Sequence, residues 1–528
     1  MSLAGPEHLS ARGDGFAVAT PHRAATDAAV AAFQAGGNSV DAALTASAVL
    51  AVVYPHMCGV GGDLFAIVSD QGTTVAVNGS GAAAANIDAD WVRAKYGTMP
   101  THGPLSVSVP GAVCAWDLLA ERFGKLGFSA AMAPAMEAAR SGVPVSSSVA
   151  RSIVKHRDRL AADPGLSAVF LPGGRPLGAG EPLVQPALAS TFQAVWQDGP
   201  SAFYEGSVAR RLVAGLAVLG SRLTIADFER HKTEVTAPLT RRYREFDLLV
   251  PPPNSQGFVL LEILGCVEQG LLTPNHLGPD AARLAALFLL ASTDRDTYLA
   301  DPRLADVPIT ELMSAAHTQE LLEASKHAAS AGRTMRSATG DTVGIVAAQE
   351  GGPWVSINHS LYDAFGSGIL EPETGIICHN RGSHFSLDPD SPNLLVGSKR
   401  PAHTLMPVMV MRDGSPIVAS ATMGGSAHAQ IHSELLMAVL DRGADCGEAL
   451  AQPRWLVGGM QRNGGSGLVA EGRVPGHVVE MMTDTGYSVQ RLEDWDEQVG
   501  HSQMVMRTQD GRLAAAADPR ADGAAEAR

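Results

Sequence analysis

The chain has 528 residues, 45% of them apolar and only 18% charged, with 56 glycines. This excludes a disordered or fibrous chain and predicts a globular protein larger than one ordinary core. A formal net charge of -15, with no basic run interleaved with aromatics, has the wrong sign for a phosphate-backbone binder and excludes nucleic acid as a general partner. Aromatics are 5% of the chain, so alanine and valine must fill much of the core. The five cysteines (Cys58, Cys114, Cys266, Cys378 and Cys446) are far apart and form no CxxC pair, and they read as reduced core residues.

In chain order, Met1 to Gly15 is polar and has no apolar segment after a basic one, so no secretory signal and a cytoplasmic protein are expected. Helical periodicity marks Ala25–Ala35 and Ser39–Val53. The apolar stretch Ala42–Tyr54 is too short for a membrane span and is broken by Thr45 and Ser47, so it reads as a buried helix and no membrane partner is expected. The run Gly59-Val60-Gly61-Gly62 lacks the Lys-Ser/Thr of a phosphate loop and the spacing of a dinucleotide fingerprint, so no cofactor is expected. Leu64–Val68 reads as a strand, Ala112–Arg122 and Phe258–Gln269 as helices. Residues 324–340, rich in Ser, Ala, Gly and Lys/Arg, read as an exposed, mobile linker. Val343–Ala348, Trp354–Ile357 and Val408–Met411 read as strands separated by turns such as Gly351-Gly352-Pro353 and Asp413-Gly414, and Ala521–Arg528 as a polar tail. The alternation predicts a mixed helix-and-sheet protein whose second half is sheet-rich. No His/Cys/Asp/Glu spacing suggests a metal site, and none is expected.

The informative point is Gly340-Asp341-Thr342-Val343-Gly344, where a lone threonine stands at the mouth of an apolar run directly after the linker. A threonine hydroxyl is a poor nucleophile unless a base adjoins it. Cleavage before Thr342 would make its own α-amine that base, with an unperturbed pKa of about 7.7–8.0.

Landmarks along the whole chain surround this point: Gly36-Gly37-Asn38-Ser39-Val40-Asp41, Pro55-His56-Met57-Cys58-Gly59-Val60-Gly61-Gly62-Asp63, Val109-Pro110-Gly111-Ala112, Pro251-Pro252-Pro253-Asn254-Ser255-Gln256-Gly257, Asp294-Arg295-Asp296, Phe365-Gly366-Ser367-Gly368, Lys399-Arg400-Pro401, Met423-Gly424-Gly425-Ser426, Pro453-Arg454 and Asp518-Pro519-Arg520. In this order and spacing the chain resembles the γ-glutamyltransferase (glutathione hydrolase) family of N-terminal nucleophile hydrolases. The resemblance implies an α+β, four-layer αββα fold and a proenzyme cut between Asp341 and Thr342. A large chain, 1–341, and a small chain, 342–528, would then stay associated. It also implies that Thr342 is the nucleophile, that Ser360 orients its hydroxyl, and that backbone N–H groups of Gly424 and Gly425 hold the oxyanion. The loop His56-Met57-Cys58 is structural in that family. Pairing of two-chain units into a homo-oligomer is compatible with the resemblance, but no residue pattern sets a symmetry.

Departures from the family pattern point away from glutathione. The segment Gly79-Ser80-Gly81-Ala82-Ala83-Ala84-Ala85 lacks the arginine that clamps a glutamyl carboxylate, Ser383-His384 replaces an acidic pair, His403-Thr404 replaces a serine pair, and Tyr362 stands where an asparagine is expected. Arg381, His384 and His403, with Thr404 and Tyr362, are therefore expected to line a positive pocket for a small anionic amide, as in the oxamate amidohydrolase branch. Arg381 has the alternative of pairing with Asp388 or Asp390 on the surface. Other readings are a γ-glutamyl hydrolase or transpeptidase, a side-chain acylase, and a non-enzymatic binding protein that keeps the fold.

Overall fold

Alternation along a single strand accounts for the layering. The computed structural model of the protein describes residues 9–326, 340–458 and 467–528. In the strand Asp341–Gln349, successive side chains leave opposite faces. Val343, Ile345 and Ala347 join a core shared with the helix Ser39–Val53, whereas Val346 and Ala348 join a second core built from strands alone. A strand apolar on both faces must be covered on both sides, and here helices cover one and a second sheet the other.

Among the described residues, each of the two main sheets has seven strands. One runs Ala524–Ala527, Phe16–Thr20, Asp341–Gln349, Trp354–Tyr362, Asp63–Asp70, Thr73–Gly79, Glu234–Thr236. The other runs Ser10–Gly13, Leu513–Ala517, Ser502–Arg507, Ser415–Thr422, Val408–Arg412, Phe246–Val250, Leu239–Tyr243. Every ladder within them is antiparallel. Between the sheets lie small residues (Ala17, Ala19, Ala419, Ala421, Ala515, Ala517) with Ile67, Met409 and Trp354. Helices Arg23–Gln34, Ser39–Val53 and Ala112–Phe123 close the first sheet, and Gly257–Gln269, Ala281–Tyr298 and His428–Leu436 close the second. This is the expected α+β, four-layer αββα arrangement.

The Ser39–Val53 helix shows why local sequence sufficed. Asn38 Oδ1 accepts from the amides of Val40 and Asp41, and Asp41 Oδ2 accepts from the Asn38 amide, a reciprocal cap. All of its residues are buried, as a helix apolar on every side must be. The other expected helices and strands are present with ends shifted by a few residues. Among the described residues no helix is long and apolar enough to cross a membrane. All five cysteines are free thiols, and only Cys114 is less than buried.

Two expectations need correction. Ala521–Arg528 is not a tail, because Ala524–Ala527 pairs with Phe16–Thr20 and forms the edge of the first sheet. The alanines there fit the narrow space beside Ala515 and Ala517. Of the expected linker, Ala324 and Ser325 end the helix Ala315–Ser325, residues 327–339 lie outside the described residues, and Gly340 is buried.

Candidate active site

Thr342 opens an edge of the sandwich. The strands Asp341–Gln349 and Trp354–Tyr362 pair so that Thr342 faces Ser360, with a bulge between Asp341 and Thr342. Thr342 is buried, and its Oγ1 donates to Ser360 Oγ at 3.1 Å. Ser360 Oγ in turn donates to the Asp341 carbonyl oxygen at 2.7 Å and accepts from the Tyr362 amide at 2.8 Å. One serine hydroxyl thus touches both the expected nucleophile and the carbonyl of the bond expected to break. Desolvation, followed by the charges of Asp363 and Glu497, pushes the Asp341 carboxyl up to about 7.

The turn Met423-Gly424-Gly425-Ser426 leaves the strand Ser415–Thr422 and leads into the helix His428–Leu436. Its glycines are required, since Gly424 has φ 152° and Gly425 φ 53°. A Cβ on Gly340 would lie 2.6 Å from Gly425 Cα, so the backbone before the expected cleavage site runs directly against this turn. The positive end of the following helix faces the turn, an arrangement suited to a developing oxyanion. Gln256 Nε2 donates to the Gly425 carbonyl at 2.9 Å and Arg295 Nη1 to the Ser426 carbonyl at 3.0 Å, fixing the turn from behind.

On the other side of Tyr362 lies Arg381, only 1% exposed. Its guanidinium stacks 3.9 Å from the Tyr362 ring centroid, and Nη2 donates to Thr404 Oγ1 at 2.8 Å. Among the described residues, Nε and Nη1 have no hydrogen-bond partner. Burial brings its pKa down to about 10, so it remains charged at neutral pH. The expected surface alternative, pairing with Asp388 or Asp390, is not what the fold makes of it. Tyr362 itself has φ 80°, a left-handed backbone that a non-glycine residue adopts only under constraint. His384 Nε2 lies 2.7 Å from the Tyr362 hydroxyl, with the two rings edge to face.

His403 departs from expectation. Its Nδ1 accepts from the Leu405 amide and its Nε2 lies 3.1 Å from Asp63 Oδ2, so it is a neutral imidazole held by a buried carboxylate, and burial with the nearby Arg381 brings it down to about 3. His403 therefore adds no positive charge beside Arg381. Burial opposes ionisation of Asp63, but His379, His403 and Arg381 outweigh it and hold the carboxyl at about 2. Asp63 Oδ1 also accepts from the amides of Gly81 and Gly111. A cavity of about 370 Å³ is lined by His384, His403 and Thr404 together with Arg295, Asp296, Asp388 and Asp390.

The fold thus brings together all the residues expected from sequence: Asp341, Thr342 and Ser360 on paired strands, Gly424 and Gly425 against Gly340, and Arg381, His384, His403, Thr404 and Tyr362 beyond them. It adds Asp63, Gln256 and Arg295 as organisers. Their signal in the sequence is a polar or charged residue beside an apolar run, as Asp63 stands before Leu64–Val68 and Arg295 ends an apolar helix.

The αββα layers, with a threonine opening a central strand beside a two-glycine turn, define an N-terminal nucleophile hydrolase, an amidohydrolase class. The gamma-glutamyltranspeptidase family model matches residues 25–528, and the chain belongs to that family. It is 36% identical over 519 residues to the glutathione hydrolase-like YwrD proenzyme of Bacillus subtilis (strain 168), covering 96% of this chain and 97% of that one. It is 33% identical over 520 residues to the oxamate amidohydrolase proenzyme of Klebsiella pneumoniae, covering 97% and 98%. Among solved structures it resembles the cephalosporin acylase of Bacillus halodurans, with a TM-score of 0.91, 30% identity and coverage of 100% and 98%.

Proposed function

We propose that the protein is a precursor that cuts itself between Asp341 and Thr342, and then hydrolyses the amide of a small carboxylate-bearing substrate of the oxamate type. In maturation, Thr342 Oγ1 attacks the Asp341 carbonyl carbon, the peptide nitrogen leaves as the threonine amine, and water opens the resulting ester to give chains 1–341 and 342–528. Ser360 polarises that carbonyl and receives the hydroxyl hydrogen bond. In turnover, the freed amine takes the hydroxyl proton, Thr342 attacks the substrate amide, and the amide N–H groups of Gly424 and Gly425 face the oxyanion. The leaving amine takes the proton, and water then releases the acid from the acyl-threonine.

The observation that carries the substrate class is the buried Arg381 guanidinium, whose Nε and Nη1 have no partner among the described residues. A buried guanidinium with unused N–H donors suits an anionic partner such as a carboxylate. The oxamate amidohydrolase relative supports the same chemistry. A second reading has its own support. The 370 Å³ cavity with its wall of Asp296, Asp388 and Asp390, and the likeness to a cephalosporin acylase, favour a bulkier amide whose amine end is cationic, γ-glutamyl amides included.

Arg381→Ala tests the choice. With oxamate as substrate, KM should rise by about 10- to 100-fold, the worth of a lost charged hydrogen bond, with little change in the extent of self-cleavage. Loss of cleavage together with activity would make Arg381 structural. Unchanged KM would favour the bulkier amide.

A further inference from the structure

In the helical layer that covers the second sheet, three helices bring together side chains that the chemistry above leaves unused. Glu262 sits in Gly257–Gln269, a helix otherwise almost wholly apolar, and is only 1% exposed. Among the described residues, neither of its carboxylate oxygens has a hydrogen-bond partner. Asp294 comes from the helix Ala281–Tyr298 and His317 from Ala315–Ser325. His317 Nε2 lies 2.9 Å from Asp294 Oδ2 and 3.9 Å from Glu262 Oε1, and the three atoms are all within 4.8 Å of one another.

We propose that Glu262, Asp294 and His317 form a binding site for one divalent transition-metal ion, zinc being the best match. Donors about 2.0–2.2 Å from a tetrahedral ion stand about 3.3–3.6 Å apart, so small shifts bring these three to bonding distance. One imidazole and two carboxylates suit zinc or a similar borderline ion, and two carboxylates balance its charge. The other ring nitrogen, Nδ1, is 3.4 Å from Glu320 Oε2, a carboxylate placed as those that orient metal-bound imidazoles are. Arg241 makes its hydrogen bonds to Thr318 Oγ1 and the Met313 carbonyl rather than to Glu262. An ion here would fasten three helices from separate stretches of chain. Two of them reach the oxyanion turn, through Gln256 at the start of one and Arg295 beside Asp294 in the other.

The test is titration of the EDTA-stripped, desalted full-length protein with Zn²⁺ and separately with Mg²⁺, read by calorimetry and by melting temperature. The wild type should bind one equivalent of Zn²⁺, more tightly than Mg²⁺, and melt higher with it. Glu262→Gln, which keeps the volume, and His317→Ala, which is partly exposed, should each weaken that binding by about 100-fold or more, beyond what losing an orienting partner costs. Without metal, Glu262→Gln should melt no lower than wild type, since among the described residues the carboxyl has no hydrogen bond to lose; this check needs no metal and holds even if His317→Ala fails to fold. No Zn²⁺ binding by the wild type, unaltered binding in both variants, or preference for Mg²⁺ would overturn the site.

Discussion

Ser360 Oγ lies between the Thr342 hydroxyl and the Asp341 carbonyl, 3.1 and 2.7 Å away, and so would serve both the attacking and the attacked group of the proposed self-cleavage. Removing a donor that stabilises a developing oxyanion costs about 10²–10³ in rate. Ser360→Ala should slow self-cleavage by that order, followed as loss of the full-length band in freshly synthesised protein, while Ser360→Thr should cleave at nearly the parent rate. Cleavage of Ser360→Ala at the parent rate would remove the serine from maturation. Asp341 gives a pH signature. Its carboxyl is raised to about 7 in the uncut chain against about 3.9 when unfolded. A raised acid is protonated in both states at low pH and ionised in both at high pH, so folding loses stability as pH climbs between the two values. In a Thr342→Ala background, Asp341→Asn should therefore melt close to its parent at pH 4 and above it at pH 8. An equal difference at both pH values would mean that Asp341 is not ionised against its surroundings.

The decisive element is the hairpin that carries Thr342, and its approach to the Ser415–Thr422 strand that feeds the glycine turn. Gly344 makes this approach possible, because a Cβ there would stand 2.6 Å from the Ala421 carbonyl oxygen. Backbone in a packed sandwich cannot give way as a side-chain tip can. Gly344→Ala should cost about 1–3 kcal/mol, seen as a lower denaturant midpoint, and should slow cleavage by moving Thr342 from Gly424 and Gly425. Undiminished stability would show that the sheets part easily there. The two strands of this hairpin were legible as apolar runs flanking Gly351-Gly352-Pro353, whereas Ser360 beside Thr342 was implied by the family resemblance alone and is seen in the strand register. Contacts between distant segments were not legible. Nothing in the sequence spacing joins His403 to Asp63, Arg381 to Thr404, or Glu262 to Asp294 and His317, because only the folded layers bring them together.

Over the whole molecule, the layers were legible through the family's ordered motifs and the period of the strands, whereas the last strand was not. Ala524–Ala527 is polar and alanine-rich, with little strand propensity of its own, and is a strand because small residues fit between the sheets. The same topology explains how a cut chain can stay one molecule. Asp341–Gln349 lies between Phe16–Thr20 and Trp354–Tyr362, and in the other sheet Val408–Arg412 pairs with Phe246–Val250, so each sheet holds strands from both sides of the Asp341–Thr342 bond. Separating the two chains would tear both sheets, and they should elute together in native gel filtration after cleavage.

The most direct measurement is intact mass under denaturing conditions of freshly purified wild type beside Thr342→Ala. The account predicts two fragments meeting at Asp341 and Thr342 in the wild type and a single uncut chain in the variant. An uncut wild type, or a cut that survives in Thr342→Ala, would contradict it.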